Sequence, residues 1–132
     1  MPEHLPETRM NNYSELSDYE INKLVAIALG AKMVNAYSVK DVRESIQYDL
    51  NGKTLLVTRG FGDGPNRFDP CNSWADAGPI IEKYGIGLHK DMADRWLSDS
   101  EAVTHYVIHD NPQRAAMIVF LMMQEAGYAK AA

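Results

Sequence analysis

Residues 68–79 read F-D-P-C-N-S-W-A-D-A-G-P. Two prolines, the only cysteine, one of two tryptophans and four side chains able to cap a helix fall within this stretch. Its reading turns on Pro79. A continuous helix capped at Asn72 or Ser73 would hold that proline in its interior, at a cost of about 3 kcal/mol. A cap at Asp76 puts Pro79 at the third helical position, where no intrahelical N–H partner is lost. The expectation is a tight turn over 72–75 and a short helix over 77–84, closed by Gly85, with Ile80, Ile81 and Tyr84 facing inward.

Upstream, Ser17 and Glu20 form a capping box and Leu16 with Ile21 a hydrophobic staple. Ile21, Leu24, Val25, Ala28 and Leu29 then recur at helical spacing until Gly30. Residues 34–39 read as extended and 40–45 as a charged connection. Residues 46–50 and 53–58 flank Asn51-Gly52, the pattern of a two-residue hairpin. The loop 60–65 carries glycines at 60, 62 and 64, without the spacing of a dinucleotide fingerprint or the lysine of a P-loop.

Downstream, 86–89 reads as a short strand and 90–100 as polar and irregular, anchored by Trp96-Leu97. Residues 102–109 read as another strand. Asp110-Asn111-Pro112 is a helix start, and the helix runs from 112 to about 126, where Gly127 stops it. Residues 115–123 are apolar on nearly all sides, so this helix is either the centre of the core or partly a subunit interface. The fold class is α+β: one small, mainly antiparallel sheet of four or five strands packed with about three helices, in the order α-β-β-β-α-β-β-α. Residues 1–12 are expected to form a flexible leader, 13–128 a single domain and 129–132 a frayed tail.

The chain has 132 residues, 45% of them hydrophobic, which is enough for one core. A net charge of −5 excludes bulk binding to a phosphate backbone. The nine-residue run 115–123 is too short to cross a bilayer, so no membrane span is expected. Cys71 has no partner for an intramolecular disulfide, which fits a cytosolic setting.

No metal-site or hydrolase spacing links the four histidines and the cysteine, and neither a metal nor a cofactor is expected. Cys71 near a helix N-terminus reads as a packing residue or, less simply, as a nucleophile. Asp69, Asp76 and Asp110 read as turn and cap residues rather than a catalytic pair. A ligand constellation remains. Tyr37, Phe68 and Trp74 offer aromatic surface, Asn72 and Asn111 offer amides, and Asp76 and Asn111 mark helix N-termini. Arg59, Arg67 and Arg114 offer forks that match phosphate. The same residues also read as core and caps, and both readings stand at this point.

Three blocks carry a resemblance: NYSELSDYEINKLVAIALG at 12–30, FDPCNSWADAGPII at 68–81 and DNPQRAAMIVFLMMQEAG at 110–127. In order and spacing they resemble the NinX family of lambdoid-phage proteins and cover 51 of the 132 residues. Gly78 stands where the family pattern usually has tryptophan. The resemblance implies a phage accessory protein made in the host cytoplasm, and it supplies no catalytic residues. Two function classes follow. One is a non-enzymatic protein that counters host defence by sequestering a small nucleotide-type signalling molecule. The other is an interaction module for a host or phage replication or recombination factor. The apolar last helix adds the expectation of a homo-oligomer.

Overall fold

The computed structural model describes residues 13–40, 42–60 and 64–127. The expected leader over 1–12, the tail over 129–132 and the centre of the glycine loop lie outside the described residues. A 3-10 turn, Tyr13–Glu15, leads into helix α1, Asp18–Ala28. Its N-terminus is the expected capping box: the Ser17 hydroxyl accepts from the Glu20 N–H and the Glu20 carboxylate accepts from the Ser17 N–H, both at 3.2 Å. At its C-terminus Gly30 adopts φ +100°. The Gly30 N–H then bonds Ile27 O at 2.9 Å and the Ala31 N–H bonds Ala26 O at 3.1 Å, closing a Schellman motif. The buried stripe runs through Tyr19, Ile21, Asn22, Val25 and Ala26, so Leu24, expected inside, is 37% exposed.

Strands β1 (Lys32–Val39), β2 (Arg43–Leu50) and β3 (Lys53–Arg59) form an antiparallel sheet in chain order. Asn51 at φ 52° and Gly52 at φ 90° supply the left-handed pair that a tight hairpin needs. The register sets Ile46 against Val57 and Tyr48 against Leu55 on the face covered by α1. The outer edge of β3 is held by the following segment: the Leu56 N–H bonds Asn66 O at 2.7 Å and the Phe68 N–H bonds Leu56 O at 2.8 Å. That short parallel bridge draws Phe68 into the core.

Helix α2, Trp74–Tyr84, starts three residues earlier than expected. Its cap is Ser73, whose hydroxyl accepts from the Asp76 N–H at 3.3 Å, so Asp76 is the third helical residue and Pro79 lies inside the helix. The expected cost is softened for two reasons. The carbonyl that Pro79 leaves without a donor belongs to Ala75, in the exposed first turn. The residue before a proline is driven out of the helical region partly by its own Cβ, and Gly78 has none. Gly85, at φ 65°, closes the helix as expected.

Strands β4 (Gly87–Lys90), β5 (Trp96–Asp99) and β6 (Val107–His109) make a second antiparallel sheet. The single sheet of four or five strands is therefore corrected to two sheets of three. β5 was hidden in the sequence because its most buried residue is Ser98, whose hydroxyl donates to Gly87 O at 3.0 Å. Of the strand expected over 102–109 only the end pairs; Ser100 instead bends the chain by accepting the Ala102 and Val103 N–H groups.

Helix α3, Pro112–Glu125, explains the split. All residues from Gln113 to Met123 are buried, and the helix packs against α1, α2 and every strand of the second sheet. A helix apolar all round needs cover on more than one side, and α1, α2 and the second sheet supply it. Tyr84 meets Phe120 with ring centroids 5.0 Å apart. The apolar run over 115–123 is thus accounted for within one chain.

Candidate functional site

The structure brings Arg67, Phe68, Asn72, Trp74, Asp76, Asn111 and Arg114 to one junction, where the turn before α2 meets the first turns of α1 and α3. Most of their polar groups are occupied by one another. The Asn111 side chain accepts from the Arg114 N–H at 3.1 Å and donates to Cys71 O at 2.7 Å and to Asn72 Oδ1 at 3.3 Å. Asn72 donates to Asp18 at 3.0 Å and to Asp69 at 3.1 Å. Arg114, 7% exposed, pairs with Asp18 at 2.7 Å and donates to Leu16 O at 2.6 Å and Ser14 O at 3.2 Å. Its fork, expected to face a phosphate, fastens the start of α1 onto α3.

Asp18 and Asn22 belong to this network and were not singled out in the sequence. Asn22 donates to Asp69 at 2.8 Å and accepts from the Cys71 N–H at 3.1 Å. The signal was available: an amide on the apolar stripe between Ile21 and Val25 must find partners when buried. Cys71 is fully buried, and burial pushes its thiol well above the ordinary range, so the packing reading holds over the nucleophile.

Both helix N-termini are already met. At α2 the Asp76 carboxylate sits in the first turn and accepts from the Asp69 N–H at 2.8 Å. At α3 Pro112 has no N–H and Asn111 takes that of Arg114. A hollow of ≈ 330 Å³ opens here, lined by Arg67, Asp69, Asn72, Ser73 and Asp76. It carries two carboxylates, and Arg67 lies 3.4 Å from one of them, which is poor ground for an anion. Trp74 stands at its side, 52% exposed.

Tyr37 and Arg59 lie apart from the junction and from each other. The register places Tyr37 beside Ser45, and Arg59 beside Glu44 on the opposite face of the sheet. Arg59 pairs with Glu44 at 2.8 Å, and Tyr19 donates to the same carboxylate at 3.1 Å. These bonds, the one from Arg59 first, hold Glu44 below the usual carboxylate range. Burial, then the bond to Glu44, pushes Tyr19 up to about 12.

A second hollow lies on the other side of the first turn of α2, with Asp76 bordering both. It is an apolar cleft of ≈ 220 Å³ whose wall includes the buried side chains of Leu55, Phe68 and Ile80, with Pro79 and Tyr84 beside them. Lys53, from the hairpin, and Lys83, from the last turn of α2, are exposed at its rim. Among the described residues neither lysine has an ion pair; Lys83 lies over the Tyr84 ring, 5.4 Å from its centroid. Phe68 is therefore both core and cleft wall. No group of three or more His, Cys, Asp or Glu side chains that could hold a metal occurs among the described residues.

The junction draws most of its residues from the three blocks that carry the resemblance, and a family model described as "Bacteriophage P22, NinX" matches residues 12–124. The chain belongs to the NinX family. No curated protein and no solved structure matches it. The NinX match takes in every helix and strand described above, α3 as far as Gln124. At Gly78 a Cβ would meet nothing within 4 Å, so glycine's contribution there is backbone freedom ahead of Pro79. No helix among the described residues is long and apolar enough to cross a membrane.

Proposed function

We propose that this protein is a phage accessory protein that acts by binding rather than by catalysis, capturing a small nucleotide-type signalling molecule in the host cytoplasm and so countering host defence. The observation that carries the reading is the apolar, aromatic-walled cleft with two lysines at its rim that have no ion pair among the described residues. A planar base suits the wall of Phe68, Pro79 and Tyr84, and phosphates suit Lys53 and Lys83. The cleft volume, ≈ 220 Å³, is somewhat below the roughly 300–1,000 Å³ of small-ligand pockets. It suits one ring system, with the charged remainder held outside on the lysines.

Calorimetry against a panel of cyclic and ADP-ribose-type nucleotides tests this directly. Binding that weakens about tenfold, or about 1.4 kcal/mol, in Lys53→Ala and in Lys83→Ala is the expected result. Absence of heat with every member of the panel sinks it. The second reading, a module that binds a host or phage replication or recombination factor, draws support from a different observation. Among the described residues, seven large apolar side chains between 24 and 42 are exposed, against three elsewhere. A pull-down from host lysate separates the two, since a sequestering protein recovers no stoichiometric partner.

A further inference from the structure

The first sheet closes one of its edges and leaves the other open. The segment 66–68 lies along the outer edge of β3 with main-chain bonds at 2.7 and 2.8 Å. β1 pairs only with β2 among the described residues, and all eight of its residues are exposed. An outer strand carries a row of main-chain donors and acceptors turned away from its sheet, and folds commonly blunt such an edge with charge, proline, a bulge or a covering segment. β1 has two of these devices near its start, and beyond them the Asn35 side chain accepts from the Ala36 N–H at 2.9 Å, a bond that a partner strand has to displace. Lys32 is its one charged residue, and the register breaks between Met33 and Asn35. From Asn35 to Val39 the pairing is regular and the side chains are N-A-Y-S-V, with no charge and no proline.

We infer that the run 35–39 of β1 is the contact surface for a second copy of this chain, which adds its own β1 antiparallel across a two-fold axis to make one continuous six-stranded sheet. The inference rests on neither reading of the cleft. Self-pairing favours this run on three counts. An antiparallel contact about a two-fold axis closes on itself, so it needs no surface beyond the one strand. Centred on the run, it sets Tyr37 against the partner's Tyr37, Ala36 against Ser38 and Asn35 against Val39. An aromatic cross-strand pair is favourable and no like charges meet within the run. The two Lys32 side chains fall at opposite ends of the contact.

Size sets the strength. Five paired residues span about 17 Å and bury well under the roughly 1,600 Å² of a standard interface. The association is therefore a monomer–dimer equilibrium in the micromolar range or weaker, not a permanent dimer. Sedimentation equilibrium of the wild-type chain from micromolar to millimolar concentration should show average mass rising from monomer toward dimer. Ala36→Glu, which places a carboxylate in each half of the contact, should raise the dissociation constant at least tenfold while leaving circular dichroism unchanged.

Cysteine cross-linking locates the contact. Directly opposed residues in antiparallel strands have Cα atoms about 4.5–5.5 Å apart, within disulfide reach. Under mild oxidation Tyr37→Cys should give a covalent dimer much faster than Met92→Cys, which puts a more accessible thiol on the exposed chain between β4 and β5. Cys71 is buried and does not compete. A chain that stays monomeric at every concentration overturns the inference, and so does a dimer in which Tyr37→Cys cross-links no faster than Met92→Cys. A monomer that carries a different protein out of host lysate by this strand overturns it as well, and assigns the edge to a foreign partner.

Discussion

The two sides of α2's first turn differ in what their polar groups do. On the junction side, Asp18, Asn22, Asp69, Asn72, Asp76, Asn111 and Arg114 bond to one another or to nearby backbone. On the cleft side, Lys53 and Lys83 face solvent beside an apolar wall, with no ion pair among the described residues. Density of unusual residues in sequence marked the first; the second is where we place the proposed ligand. A buried polar group must be satisfied during folding and is then committed, whereas an exposed cation beside a hydrophobic wall keeps its interaction for something that arrives later.

Mutations test that contrast, and the largest effect belongs to Arg114. Replacement by alanine leaves the Leu16 and Ser14 carbonyls and Asp18 without their donor. Urea unfolding should show a loss of about 3 kcal/mol, moderated because the Asp18 side chain is 41% exposed. A loss below about 1 kcal/mol would mean that the network is not structural. Asn111→Ala removes a cap and the bond to Cys71 O, with an expected loss of about 1–2 kcal/mol by the same measurement.

Tyr19 gives a smaller, pH-dependent effect. Its pKa rises from 10.0 unfolded to about 12 folded, so folding favours the protonated phenol. That contribution is complete below pH 10 and is lost as pH climbs toward 12. Stability followed through this window should fall less steeply in Tyr19→Phe than in the wild type. Lys53→Ala and Lys83→Ala complete the contrast from the other side: midpoints of unfolding should move by less than about 0.5 kcal/mol equivalent. A larger drop would show that the lysines are tied into the fold and would remove their claim on a ligand.

What was legible in the sequence was local. Ser17 with Glu20, Asn51 with Gly52 and Asn111 with Pro112 each specify a backbone conformation within a few residues, and all three formed as read. The start of α2 was misplaced because the cost of an internal proline was assessed without Gly78 ahead of it. β5 was missed because a buried serine breaks the hydrophobic pattern, and the count of sheets was wrong because α3's central position is a tertiary fact. The cleft was illegible for the same reason. Lys53 comes from a hairpin, Phe68 from a bridge and Lys83 from the end of a helix, and only folding brings them within one hollow.

The central place of α3 also orders the protein's assembly in time. The helix on which α1, α2 and the second sheet lean is encoded after all of them. As the chain leaves the ribosome, α1 and α2 emerge with apolar side chains that α3 will cover, such as Val25 and Ile80, facing water. The first sheet has α1 as its partner, but the second must wait for residues 112–125. A chain stalled anywhere before Pro112 leaves the second sheet and one side of α1 and α2 uncovered, which makes the unfinished protein a substrate for chaperones and proteases until its last helix arrives.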